Sequence, residues 1–374
     1  MNRLHKVYQL EITTLSPLHI GTGRRLLRDY DYVTHAGKTW VIDAGALAEA
    51  LYDQDAAFKL MVDGEPAGNL LQASDYTPDS PLFRYVMAGQ PRSNMRGAEL
   101  QEQLKDPWDR PYIPGSSLKG ALRTALAVVG WYQRGLGFRY SDLTDSRPKF
   151  AALPLERRVL NGGNTPMGRA PNHDLLRALH VSDSGPDDQR RLQLINVQVI
   201  VNGKSASPVE LEAIPAGVTF TATLALDGFL RQPGTASALG WANDQLKWLS
   251  GLPTAVNAFT GMRLGEEWKR WQGVPGMMRS FYQDLRNRFG ARNDRAEFYL
   301  QLGWGGGWDS KTLGAVLTQD GDVFAQVVTR YHLKRKGKYQ PGEVFPRSRR
   351  VLMNGQNAPA RPLGWIHVKM VKLG

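Results

Sequence analysis

Polar and apolar residues alternate between Val7 and Leu15, with Tyr8, Leu10 and Ile12 on one face and Gln9, Glu11 and Thr13 on the other. This period of two predicts a half-buried strand. A helical period follows at Leu118, Ala121, Leu122, Ala125 and Leu126, spaced i, i+3, i+4, i+7 and i+8, and predicts a helix over 118–129. Residues 177–182, 194–201 and 210–226 read as strands, the last with an Ile214-Pro215-Ala216-Gly217 turn inside a β-hairpin. A short strand is expected over 297–302, and closing strands over 344–351 and 362–368. Helical spacing recurs within 43–62 (Leu47, Leu51, Phe58) and at Leu239, Leu246 and Leu249. It returns at Met278, Phe281, Leu285 and Phe289, and again from Val323 to Tyr331. Residues 64–111 read as an irregular insertion and 131–171 as a loop-rich segment. A helix between the first strand and the later ones gives a β-α-β-β order. The fold class is therefore α+β, with a ferredoxin-like (RRM-like) unit carrying large helical and loop insertions.

A chain of 374 residues with 42% hydrophobic content and ten tryptophans is a folded protein with room for two domains. It has no cysteine, which excludes disulfides and thiolate metal sites. The seven histidines (His5, His19, His35, His173, His180, His332 and His367) show no metal-ligand spacing, so no metal and no cofactor is expected. Met1 to Leu10 is polar and no run is long enough to span a bilayer, so the expectation is a soluble cytoplasmic protein with no membrane partner. The formal charge of +12 is concentrated: residues 330–374 hold eleven Lys/Arg against one Glu. That excess is interleaved with Val344, Phe345, Val351, Leu352, Trp365 and Ile366, which reads as folded chain facing a polyanion.

Three stretches carry candidate chemistry. In Tyr112-Ile113-Pro114-Gly115-Ser116-Ser117-Leu118-Lys119-Gly120, a turn opens the helix, with Ser116 as the expected N-cap. Lys119 and Arg123, four apart, share one side of the helix. Free N–H groups, hydroxyls and cations at a helix start suit a phosphate. The first strand runs into Leu18-His19-Ile20-Gly21-Thr22-Gly23 and then Arg24, Arg25 and Arg28; Leu26 stands where a dinucleotide fingerprint needs its third glycine. Gly303-Trp304-Gly305-Gly306-Gly307 leads to Ser310 and Lys311, and Ser310 stands where a P-loop needs glycine. Such a loop can instead lay its N–H groups against a nucleic-acid backbone. Cations mixed with aromatics over 131–171 suit single-stranded RNA.

The stretch Pro114 to Gly120 with Arg123 resembles the helix signature of the RAMP superfamily of CRISPR proteins. Leu18 to Gly21 resembles the first strand of these proteins, and Gly303 to Gly307 their C-terminal glycine-rich loop. Together with Phe345-Pro346-Arg347 and Pro362-Leu363-Gly364-Trp365, the chain is similar to the family of fifth subunits of type III-A (Csm) effector complexes. The resemblance implies two ferredoxin-like RAMP domains, 1–230 and 231–374. It also implies a non-catalytic subunit that caps the 3′ end of the CRISPR RNA (crRNA) and supports crRNA maturation and antiviral defence. The implied partners are crRNA, as single-stranded RNA, and other RAMP subunits of the Csm complex, especially the backbone subunit. The implied RNA contacts are His19, Gly21, Gly23, Arg24, Ser116, Ser117, Lys119, Arg123, Gly305, Gly306, Gly307, Lys311, Arg347, Arg349 and Arg350. Backbone subunits of this superfamily use an aspartate after the first strand to cut target RNA. Asp29 and Asp31 fall there, but the local sequence departs from that pattern.

Two rival readings stand beside this one. A metal-independent endoribonuclease would need a general base near a 2′-hydroxyl, for which His19 is the best-placed histidine. A purely architectural cap would need no RNA affinity of its own.

Overall fold

The computed structural model describes residues 5–51, 64–163, 170–201, 204–274, 276–334, 337–354 and 358–373. The helical spacing expected beyond Leu51, including Phe58, and Arg335 and Lys336 of the basic run lie outside these residues.

Two sheets organise the chain. The first has five strands in the order β11 (Glu297–Gln301), β14 (Trp365–Leu373), β1 (His5–Thr14), β10 (Thr219–Asp227), β7 (Leu179–Val181). All its pairings are antiparallel; Leu10 faces Ala222 on one side and Met370 on the other. The alternation read in the sequence is real, since Leu10, Ile12 and Thr14 are buried. Helices α1 (Gly115–Gln133) and α2 (Leu252–Trp271) pack on each other, and they reach β7 and β11 respectively. The path β1, α1, β7, β10, α2, β14, with β10 between β1 and β7, is a split βαβ arrangement. It draws strands from both sides of residue 230, so that boundary does not separate the sheets: β14 forms its ladder on β1.

The second sheet has the order β2 (Gly21–Leu27), β6 (Glu99–Gln103), β9 (Lys204–Ala213), β8 (Gln193–Val201), β5 (Phe83–Ala88), β4 (Lys38–Ile42), β3 (Tyr32–His35). Strand β12 (Ser348–Met353) pairs with β8, and β13 (Pro359–Arg361) pairs with β12. Two sequence expectations change here. Residues 64–111 are not an irregular lobe, because β5 and β6 lie within them, and Phe83, Tyr85 and Met87 alternate into the interior. Residues 210–226 are not a hairpin either. The Pro215-Ala216-Gly217 turn carries the chain from β9 in one sheet to β10 in the other, and the true hairpin is β8–β9. Gly217 has φ +90, which glycine adopts freely, so the turn itself was legible although its partners were not.

Helix α1 buries Leu118, Leu122, Ala125 and Leu126, the stripe expected from spacing. It starts one residue before the expected cap, with Pro114 as N-cap and no side-chain capping bond. Ser116 is exposed and already helical. The reason is local. Gly115 sits so close to the Val181 and Ser182 carbonyls that any Cβ would overlap them, and its N–H donates to Asp183 Oδ1 at 2.8 Å. Of the four tryptophans expected in the helical region, Trp241, Trp248 and Trp271 are buried and Trp268 packs at the edge of a core cluster.

Candidate RNA-binding cleft

The two sheets exchange chain at one seam. Leu18, leaving β1 for β2, pairs with Ile214, where β9 gives way to β10. The segment after β11 joins them: Gly364 N–H donates to Pro17 O at 2.9 Å and Trp304 N–H donates to His19 O at 2.7 Å. Gly303 has φ +71, and a Cβ there would overlap the His19 carbonyl oxygen. Only glycine lets the two segments lie this close.

A cavity of about 670 Å³ opens at this seam. Most of its wall comes from the three stretches singled out in the sequence: His19, Gly21, Gly23 and Arg24; Ser117 with Gly120 and Thr124; and Gly303, Trp304, Ser310 and Lys311. Gln101 and Glu102 of β6 also line it, with the Glu102 carboxylate accepting from Thr22 Oγ1 at 3.0 Å and paired with Lys105 at 3.8 Å. The helix turns small residues towards the cavity, which leaves room for a ligand backbone.

His19 forms the floor and is almost wholly enclosed. Its Nδ1–H donates to the Glu212 carbonyl oxygen at 2.7 Å, which leaves Nε2 as an acceptor. A Cβ at Gly21 would lie 2.8 Å from that Nε2, so a side chain at Gly21 would press on the ring. Burial pushes the His19 pKa down to about 4; the Glu212 bond opposes this, and the Lys105 and Lys311 charges add to it. The ring is therefore neutral at pH 7. Beneath it, the buried Glu212 carboxylate accepts from Lys105 Nζ at 2.6 Å, Tyr85 Oη at 2.7 Å and the Gln103 N–H at 2.8 Å.

The cations near the cavity differ sharply in their partners. Arg24 is exposed and pairs with Asp31 at 3.2 Å, and Arg25 pairs with Glu99. Asp31 also accepts the Leu27 N–H, so that carboxylate is spent on the β2–β3 turn. Lys311 has no carboxylate within ion-pair distance among the described residues; loss of water around its ammonium, together with the Arg350 charge, lowers its pKa. Arg350 likewise has no carboxylate partner there, and burial lowers its pKa. Its guanidinium lies 4.9 Å from the centroid of the Trp304 ring. Trp304 in turn meets His19 edge to face, with ring centroids 6.3 Å apart. Two unpaired cations and one indole thus gather beside an open cavity, an arrangement that suits a phosphate and a stacked base.

Other expected site residues lie elsewhere. Lys119 and Arg123 line a shallow recess on the flank of α1. Arg123 is held by Glu156 at 2.8 Å and Asp174 at 2.7 Å. The phosphate expected at the helix start meets a competitor, since Asp183 already takes the Gly115 N–H. Gly305 packs on Leu363 and Gly306 is buried against Ser310 and Gln301, so both have internal packing reasons to be glycine. The arginine cluster is divided. Arg347 pairs with Glu343, and Arg349 is buried against Glu267 at 2.9 Å and Asp309 at 3.5 Å. Arg350 does not line the cavity itself, but its guanidinium lies over Trp304, which does. Sequence reasoning missed Gly303 and Trp304 as wall residues, although both stood inside the glycine stretch it had singled out. It also missed Lys105 and Glu212, which carry no local signature.

Among the described residues, no group of three His, Asp or Glu could hold a metal ion, and no helix is long and apolar enough to cross a membrane. The chain is similar to the CRISPR system Cms protein Csm5 of Streptococcus thermophilus, with 26% identity over 212 residues. That match spans 52% of this chain and 56% of the length of the relative. A chain in the cryo-EM structure of a Csm–crRNA–target RNA ternary complex of a type III-A CRISPR-Cas system superposes with a TM-score of 0.70. It is 25% identical, and the match covers 98% of this chain and all of that one. The crystal structure of T. onnurineus Csm5 superposes with a TM-score of 0.64 at 21% identity, over 95% of this chain and 99% of that one, and so shares the fold. The family profile described as the RAMP superfamily matches residues 11–232, more than half of the sequence, with the end of β1 and all of α1 and β10, and on that match the chain belongs to the RAMP superfamily.

Proposed function

We propose that this protein is a crRNA-binding subunit of a type III-A CRISPR effector complex, and that it holds RNA without cutting it. The observation that carries this reading is the cleft at the seam between the sheets, where Lys311 and Trp304 stand in the wall, Arg350 lies over Trp304, and neither cation has a carboxylate within ion-pair distance among the described residues. Guide sequences vary, so recognition works through phosphate, sugar and stacking, with little reading of base edges. The likeness to Csm5 and to a chain of a Csm–crRNA complex supports crRNA and other Csm subunits as partners. On this reading the protein sits at the 3′ end of the guide, against the backbone subunit, and supports crRNA maturation.

The chemistry of His19 favours holding over cutting. A ring with a pKa of about 4, beside Lys105 and Lys311, is neutral but only weakly basic at pH 7, so it is a poor general base for a 2′-hydroxyl. Its free Nε2 is suited to accepting a hydrogen bond from a 2′-hydroxyl.

The test is binding of labelled single-stranded RNA by the purified protein across a salt series, beside the double variant Lys311→Ala, Arg350→Ala, with the RNA checked on a gel. The expected result is salt-sensitive binding of intact RNA, at least tenfold weaker in the variant, as for loss of two charge-assisted contacts. Cleaved RNA, lost when His19 is replaced by Ala, would favour the nuclease; wild-type binding by the variant would remove the cleft from the account.

A further inference from the structure

A second cleft, of about 980 Å³, shares the 309–311 segment with the first. Neighbouring residues alternate between the two. Asp309 and Arg349 line the second cleft, Ser310 and Lys311 line the first, and Arg350 lies over Trp304 in the first.

Behind this second cleft is a charge cluster that does not balance. Arg263, Arg270 and Arg349 face only Glu267 and Asp309. Arg349 takes Glu267 at 2.9 Å; Arg263 reaches Glu267 at 3.4 Å and Asp309 at 3.3 Å. Arg270 is left with one bond, from Nη2 to the Pro346 carbonyl at 3.3 Å, and has no carboxylate within ion-pair distance among the described residues. The Nε atoms of Arg263 and Arg270 are enclosed and without partners, and Arg263 is only 5% exposed. Burial, and then the Arg349 charge, make the protonated Arg270 costlier than in water. Lys269 and the ring of Tyr132, 39% exposed, stand at the same cleft.

The geometry points to this cleft as a second binding site for a phosphodiester of single-stranded RNA, with Arg270 as the cation that receives it and Tyr132 and Phe345 as faces for a base. This inference rests on the RNA-binding reading of the first cleft and extends it. An anion at Arg270 would balance three guanidiniums against two carboxylates. A guanidinium fork fits phosphate oxygens, and a strand leaving the first cleft meets the second across one shared wall.

The experiment uses the full chain and 5′-labelled oligouridylates of increasing length. In the wild-type protein, affinity rises with length as the second cleft fills. Arg270→Gln abolishes the rise, costs about tenfold on the longest oligomer and leaves the shortest unchanged. It also reduces the slope of log K against log salt by about 0.7. Lys311→Ala with Arg350→Ala weakens every length, so failure of the first cleft is distinguishable from failure of the second. Because Arg270→Gln could disturb the cluster behind it, 4-thiouridine crosslinking is mapped on the unaltered protein as well. Crosslinks at Tyr132 or Phe345 are expected. Crosslinks confined to the first cleft, with Arg270→Gln binding all lengths as wild type does, would overturn the inference and leave the cleft to a carboxylate-bearing protein segment.

Discussion

Arg349 and Arg350 are neighbours on one strand and have opposite occupations. Arg349 is buried against Glu267 and Asp309, and Glu267 is itself fixed by Trp271 Nε1 at 3.2 Å. Arg350 lies over the ring of Trp304, a wall residue of the first cleft, and has no carboxylate within ion-pair distance among the described residues. The period of two in a strand sends successive side chains to opposite faces. A run of arginines that reads as one basic cluster is therefore divided, with Arg349 tied to carboxylates and Arg350, on the reading proposed above, left for RNA.

The largest effect that would break this contrast is on stability. Arg349→Ala removes the shortest charged contact of Glu267, while Arg263 still reaches both carboxylates, with an expected loss of about 1.5–3 kcal/mol. Arg350→Ala is expected to cost less than about 1 kcal/mol. Equilibrium denaturation of both variants measures the difference, and equal losses would erase the distinction. Glu267 adds a pH signature. Burial pushes its pKa up, but the guanidiniums of Arg349, Arg263 and Arg270 outweigh that and hold it below the usual carboxylate range. A depressed carboxylate contributes stability above its unfolded pKa and loses it as pH falls through the folded value, so the Glu267 contribution weakens only in acid, whereas burial raises the Asp309 pKa and gives that carboxylate the opposite sign.

His19 gives the next effect. Its folded pKa of about 4 lies below the ordinary 6.5, so between these values the unfolded chain binds a proton that the folded one refuses. Stability should fall by about 3 kcal/mol as pH drops from roughly 6.5 to roughly 4, and not change above that range. Denaturation against pH would show the slope, and His19→Gln should flatten it. Gly303→Ala should cost about 2 kcal/mol, because the new Cβ meets the His19 carbonyl at a positive φ. Gly307→Ala sharpens the point: its φ of +83 with ψ −178 is a region kept almost wholly for glycine but its surroundings are open, so backbone strain alone, about 1–3 kcal/mol, is expected. The smallest effect is Arg24→Ala, which breaks an exposed pair and should change stability by less than about 0.5 kcal/mol.

Much of this was legible in the sequence because the signals are local. The alternation of β1, the stripe of α1 and the glycine stretch each announce themselves within a few residues, and the three stretches do meet at one cleft. What was not legible depends on partners far along the chain. The Pro215-Ala216-Gly217 turn looks the same whether it joins a hairpin or changes sheets. Nothing near β14 says that it will pair with β1, some 350 residues earlier. Strands β5 and β6 were hidden by the prolines and glycines around them. The split between Arg349 and Arg350 needed Glu267, on a helix about 80 residues away, before it had any meaning.

The most direct test compares, for Arg349→Gln and Arg350→Gln, the salt dependence of binding the shortest oligouridylate, which fills only the first cleft, at a temperature where both variants are folded. The account predicts that Arg350→Gln lowers the slope of log K against log salt by about 0.7 with little change in melting temperature. Arg349→Gln should lower the melting temperature and leave the slope as in wild type. A slope lost with Arg349 and kept with Arg350 would contradict the central claim that RNA is held on the Trp304 side of β12.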